Sequence, residues 1–125
     1  MSTYSFIVNP KAGKGRGEKV YQLLKTELRK RGLQFEILLT EKPSHATELA
    51  RKASGEVVVA VGGDGTINEV ANGIMGSPKI LGILPGGSGN DLIKSIGISP
   101  KFESAFNQLL QGNIKPIDCA TVRCE

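Results

Sequence analysis

The stretch Val57-Val58-Val59-Ala60-Val61-Gly62-Gly63-Asp64-Gly65-Thr66-Ile67-Asn68-Glu69-Val70-Ala71-Asn72-Gly73-Ile74-Met75-Gly76 contains one complete change of hydrophobic period. Its first five residues are apolar without alternation, the pattern of a strand buried on both faces of a parallel sheet. From Ile67 the apolar residues follow helical spacing instead, with Ile67, Val70, Ala71, Ile74 and Met75 on one face. Gly76 stands one place past the last of them, where a left-handed glycine ends a helix. A buried strand feeding a helix through glycines is the first half of a βαβ unit.

The same alternation continues on both sides. Apolar runs at Tyr4–Val8, Phe35–Leu39 and Ile80–Leu84 predict three more strands, and residues Ile114–Val122 read as a more polar fifth. Between them lie helical faces: Val20, Leu23, Leu24 and Leu28; then Leu49, Ala50 and Ala53; then Phe102, Ala105, Phe106, Leu109 and Leu110. Gly32 and Gly112 take the same terminating position as Gly76. Strict strand–helix alternation predicts an α/β fold, a parallel sheet with helices on its faces. A chain of 125 residues fits one such domain, 1–125, and no second of ordinary size.

Composition removes several function classes. Aromatic residues make up 5% and tryptophan is absent, which argues against a base-stacking nucleic-acid binder. No apolar run approaches the roughly 18 residues of a membrane-spanning helix. No basic lead with an apolar segment marks a signal peptide, so the expected location is cytoplasmic. Cys119 and Cys124 are five apart on what reads as one extended stretch, so they point to opposite faces and cannot pair easily; both read as structural thiols in a reducing compartment. There is no Cys/His cluster for zinc. Gly87-Ser88-Gly89 lacks a histidine partner, so hydrolase chemistry is not expected.

The net charge of +4 is unevenly distributed. Residues 1–31 carry eight Lys/Arg against two Glu, net +6, whereas residues 32–125 are net −2. Lys11, Lys14, Arg16 and Lys19 surround one loop, a pattern suited to an anionic ligand or surface.

Glycine, 16 of 125 residues, concentrates where three strands end. The loops are Asn9-Pro10-Lys11-Ala12-Gly13-Lys14-Gly15-Arg16-Gly17, Gly62-Gly63-Asp64-Gly65-Thr66 and Pro85-Gly86-Gly87-Ser88-Gly89-Asn90-Asp91. Open α/β sheets bind ligands beyond the carboxyl ends of their strands. Backbone N–H groups of glycine loops, and a helix expected to begin at Thr66, would turn toward phosphate oxygens. The first loop is neither a Walker A motif nor G-x-G-x-x-G. Asp64 would repel a phosphate directly, and makes sense if it holds a cation or water beside one; the plainer reading is a capped turn. Asp91 reads either as an N-cap on a helix at Asn90–Ile96 or as a second carboxylate sharing a magnesium–water network with Asp64. Glu69 fits a helix-dipole acid as well as a ligand contact. His45, the single histidine, reads as a surface or capping residue.

These residues resemble a known family. Gly62 through Gly73, with Asn9-Pro10 and Gly13 after strand one, Thr40-Glu41 after strand two, Leu81 through Asp91, and Ile117-Asp118, are similar to motifs of diacylglycerol kinase catalytic domains, which include sphingosine and ceramide kinases. The Gly-Gly-Asp-Gly-Thr element alone is shared with NAD kinases and, more loosely, phosphofructokinases. Its Asn-Glu-Val-x-Asn-Gly continuation favours the lipid kinases.

The resemblance implies a Rossmann-like ATP-binding domain, the N-terminal lobe of a longer two-domain kinase whose second domain is β-rich. It implies ATP contacts at Asn9, Pro10, Lys11, Ala12, Gly13, Thr40, Gly62, Gly63, Asp64, Gly65, Thr66, Ile67, Asn68, Glu69 and Ser88. Asp64 and Asp91 would be the catalytic pair, arranging Mg2+ through water. The implied reaction phosphorylates the hydroxyl of diacylglycerol or a related lipid at the inner face of a membrane. Ser88-Gly89-Asn90 looks more like the sphingosine kinase form than the Gly-Thr usual in bacterial diacylglycerol kinases. No residue matches the family's general base, which lies in the second domain. An NAD kinase-like domain and a non-catalytic ATP-binding module are the alternatives, and a homodimer stays open.

Overall fold

The computed structural model describes residues 3–11, 15–32, 34–42, 44–85, 106, 107, 109 and 110. In chain order these form β1 (Tyr4–Val8), α1 (Arg16–Arg31), β2 (Phe35–Leu39), α2 (His45–Lys52), β3 (Val57–Gly62), α3 (Asp64–Ile74) and β4 (Ile80–Pro85). The four strands lie where the apolar runs predict them, β3 and β4 each extending one residue further. The expected fifth strand, the helix at 90–96 and both cysteines lie outside the described residues.

All three strand pairings are parallel, in the order β2-β1-β3-β4. β3 is buried at every position, as its unbroken apolar run requires. One face of the sheet, with Ile7, Val58, Ala60 and Ile83, packs against Ala46 and Ala50 of α2 and Ile67, Val70 and Ile74 of α3. The opposite face, with Phe6, Val8, Val59 and Val61, packs against Val20, Leu24 and Leu28 of α1 and against Phe106 and Leu109. Two helical layers around a parallel sheet are therefore present among the described residues. Each large apolar side chain so buried contributes roughly 1.5–3 kcal/mol against exposure.

Two residues expected on buried faces are not there: Leu23 is 50% exposed and Met75 is 44% exposed. The α1 stripe runs through Gly17, Val20, Leu24 and Leu28. Leu23 lies about 100° around the helix from Leu24, outside the stripe that one sheet face can cover. Met75 has left the helix, with φ −57 and ψ 132, before Gly76 at φ 81. Ser77 N–H closes that turn on the Ile74 carbonyl at 3.0 Å.

At the amino ends of the strands a polar network ties β1 and β2 to the α2–β3 turn. Ser5 Oγ donates to Glu36 Oε2 at 2.6 Å and accepts the Gly55 N–H at 2.8 Å. Ser54 gives the same carboxylate oxygen its N–H at 2.9 Å and its hydroxyl at 2.8 Å. The Ser5 hydroxyl first, then the Ser54 N–H, hold Glu36 below its ordinary pKa of 4.5. A depressed carboxyl pKa stabilises the fold above the unfolded value, and that stabilisation is lost as pH falls through the folded value. Glu36→Gln is expected to cost about 1 kcal/mol at neutral pH, because solvent screens this partly exposed group. Urea unfolding from neutrality down to about pH 3 should show the gap between wild type and variant closing below the 4.5 range.

Candidate functional site

The strand order creates a switch point. From β1 the chain passes through α1 to β2 on one side, whereas from β3 it passes through α3 to β4 on the other. α1 and α3 also lie on opposite faces of the sheet. The crevice between the carboxyl ends of β1 and β3 is where open α/β sheets take ligands. Register aligns its rim: Val8 pairs with both Leu39 and Val61, and Gly62 pairs with Pro85. Beyond the paired residues, Asn9 N–H donates to Val61 O at 3.1 Å and Thr40 N–H to Val8 O at 2.9 Å. Thr40, Asn9 and Gly62 therefore stand in one row.

On the β1 side the chain turns at once. Asn9 Oδ1 accepts the Lys11 N–H at 3.2 Å, an Asx turn that carries the exposed Lys11 onto the rim. α1 begins after Gly15, and its second residue, Gly17, packs directly on the backbone of Asn9 and Pro10. A side chain at position 17 would overlap the Asn9 carbonyl oxygen. The sequence reading placed Gly17 in the loop; α1 in fact starts at Arg16, which makes Gly17 a helical residue whose missing side chain allows this contact.

On the β3 side the structure corrects two expectations. The helix begins at Asp64, not Thr66, and Gly63 alone joins it to the strand. The tight junction depends on Gly62, where a Cβ would lie 2.6 Å from Thr66 Oγ1 and 2.8 Å from Thr66 Cβ. With no side chain there, buried Thr66 folds back against the strand end and Ile67 N–H reaches Gly63 O at 3.1 Å. Asp64 is thus a first-turn residue, its charge favoured by the positive end of the helix dipole. Glu69 falls in the second turn, beyond the reach of that effect, so the dipole reading moves from Glu69 to Asp64.

Asp64 Oδ1 is buried and has no hydrogen-bond partner among the described residues. A buried carboxylate oxygen left unpaired costs about 1–3 kcal/mol or more, so Oδ1 is a group suited to receive a cation or water. A hard anionic oxygen suits Mg2+, which is held by one or two carboxylates together with phosphates and water. Among the described residues no three His, Cys, Asp or Glu side chains gather into a protein-only metal cage. Next to Asp64, a Cβ on exposed Gly65 would meet no protein atom within 4 Å, leaving backbone open to a bulky anion.

The structure therefore brings Asn9, Pro10, Lys11, Thr40, Gly62, Gly63, Asp64 and Gly65 to one edge of the sheet. Ile67 is fully buried in the apolar layer, so only its backbone is available. Asn68 and Glu69 are half-buried along α3, and the Glu69 carbonyl accepts the Thr47 hydroxyl at 2.8 Å. Ala12, Gly13, Lys14, Ser88 and Asp91 lie outside the described residues.

Residues 3–122 match the family model described as the diacylglycerol kinase catalytic domain. A diacylglycerol kinase of Staphylococcus saprophyticus is 33% identical over 117 residues, covering 90% of this chain and 38% of that protein. Sphingosine kinase 1 of Rattus norvegicus is also 33% identical, over 129 residues, covering 94% of this chain and 32% of that protein. A crystal structure of a diacylglycerol kinase from Bacillus anthracis superposes with a TM-score of 0.78 at 28% identity, covering 93% of this chain and 42% of that one. The chain thus spans about a third to two-fifths of the length of the relatives it matches.

Proposed function

This chain belongs to the diacylglycerol kinase catalytic domain family, and from that premise we propose that it is the nucleotide-holding part of an enzyme transferring the γ-phosphoryl group of ATP to a lipid hydroxyl. The observation that carries the proposal is the buried Oδ1 of Asp64 at the switch-point crevice, which has no hydrogen-bond partner among the described residues.

In this reading the first-turn N–H groups of α3 and the open backbone at Gly65 receive phosphate oxygens, which intrahelical bonding leaves available. Asn9 and Lys11 close the crevice from β1, and Lys11 adds a charge to offset the phosphates. Asp64 orients the hydrated cation. Magnesium, when bound with ATP, supplies charge neutralisation on the β- and γ-phosphate oxygens. Ser88 and Asp91 are proposed to complete the cradle from beyond β4. The base that takes the proton from the lipid hydroxyl is proposed to come from the portion by which the relatives exceed this chain.

Relatives named for diacylglycerol and for sphingosine match at the same 33% identity, so the proposal stops at a lipid hydroxyl. Access to such a substrate is proposed to be peripheral, at the cytoplasmic face. No helix among the described residues is long and apolar enough to cross a membrane. The exposed cations of α1, among them Lys19 and Lys30, would each add about 1 kcal/mol near an anionic leaflet.

Calorimetry on the 125-residue chain is expected to show Mg·ATP binding at micromolar to millimolar Kd, with no turnover of diacylglycerol vesicles by the chain alone. A folded chain that ignores millimolar Mg·ATP would overturn the proposal, and phosphorylation of NAD would transfer it to the NAD kinase reading.

A further inference from the structure

We infer that His45 is a positioning residue for nucleotide binding, fixing the Thr40–Glu41 peptide at the rim. The inference rests on the nucleotide reading of the crevice. His45 Nδ1 accepts the Glu41 backbone N–H at 2.9 Å. Thr40 N–H is held from the other side by Val8 O at 2.9 Å. With the N–H groups of both residues engaged, the peptide plane between them has a defined orientation. Its carbonyl points away from the imidazole, because a trans peptide opposes N–H and C=O.

The imidazole is itself tied to the other side of the crevice. His45 opens α2, and Thr47 two residues later donates its hydroxyl to the Glu69 carbonyl of α3 at 2.8 Å. α3 begins at Asp64. Thr40 is therefore referred to Asp64 by a second route, across α2 as well as through the sheet. His45 N–H also closes on Lys42 O at 3.2 Å, with Ser44 at φ 66 and ψ 0. That left-handed geometry is normally glycine's and is strained for serine. Strain of this kind persists where surrounding bonds over-determine it. Thr40 needs such bonds most, since β2 is an edge strand among the described residues.

The test compares wild type with His45→Ala and His45→Asn in the 125-residue chain. Asparagine places an acceptor oxygen at the same δ position as Nδ1. Amide exchange reads the Glu41 N–H, calorimetry reads Mg·ATP affinity, and a thermal melt separates unfolding from both. The alanine variant is expected to lose Glu41 protection and to bind Mg·ATP about tenfold more weakly, as the loss of one hydrogen bond implies. Asparagine should restore both. Lost protection with unchanged affinity overturns the inference, as does retained protection in the alanine variant. Should the alanine chain not fold, His45→Gln, with its acceptor one atom too far, takes its place and the same outcomes apply. Failure of the wild type to bind Mg·ATP sinks the nucleotide reading and this inference together; the other adverse results sink this inference alone.

Discussion

Asp64→Asn is expected to lower turnover of the complete enzyme by about 10³-fold or more while leaving the melting temperature nearly unchanged. Transferring a phosphoryl group needs little covalent chemistry from a protein, so positioning and charge stabilisation carry most of the rate. Losing the carboxylate proposed to orient the cation would remove both at once. The same substitution should be benign for the fold. Oδ1 has no hydrogen-bond partner among the described residues, so an isosteric amide at this position breaks no hydrogen bond of that oxygen. Against this stands the loss of a helix-dipole interaction, about 0.3–1 kcal/mol. The expected change in stability is therefore no more than about 1 kcal/mol. Kinase assays and thermal melts on the same sample decide: near-wild-type turnover in a folded Asp64→Asn enzyme would refute the assignment, and a large fall in melting temperature would make Asp64 structural.

Gly17→Ala should separate the site from helix propensity. Position 17 lies in the first turn of α1, where alanine is intrinsically better than glycine by about 1 kcal/mol. The tertiary structure reverses that sign. A Cβ there would overlap the Asn9 carbonyl oxygen and lie 3.1 Å from the carbonyl carbons of Asn9 and Pro10. These are backbone atoms, so no rotamer change absorbs the contact and the β1–α1 turn must move. Overpacking of this kind costs about 1–3 kcal/mol net of relaxation. The displaced turn carries Asn9, Pro10 and Lys11, so Mg·ATP affinity is expected to fall about 10²-fold, on the scale of two charge-assisted hydrogen bonds. Gly32→Ala is the control. Gly32 has φ 63 but open space around its Cβ, at the far end of α1. It should lose about 1 kcal/mol of stability from backbone strain and keep its nucleotide affinity. Equal loss of affinity in both variants would show that Gly17 acts through stability alone.

The legible parts of this protein were those written in local period. The run Val57–Val61 specified a strand covered on both faces, and the other three strands followed from the same pattern. Where local period misled, the reason was geometric. Leu23 matched helical spacing, yet the stripe that meets a flat sheet is narrower than the spacing rule admits. Met75 matched it too, but the helix had already ended. Asp64 was read into a loop because glycines on both sides suggest a turn, whereas Gly62 without a side chain lets the helix start at once.

Sequence alone determined the order and approximate extent of the four described strands, where α1 and α3 give way to left-handed glycines, and that a carboxylate flanked by glycines follows β3. Those features depend on burial and backbone sterics within a few residues of each position. Only the tertiary structure decided that β1 and β3 are neighbours with their helices on opposite faces, which makes the crevice. It alone left Asp64 Oδ1 without a partner among the described residues, set Gly17 on the backbone of Asn9, and joined His45 to Glu41. Strand order and close approach depend on packing between distant segments, and a hydrophobic period is the same whichever neighbour a strand acquires.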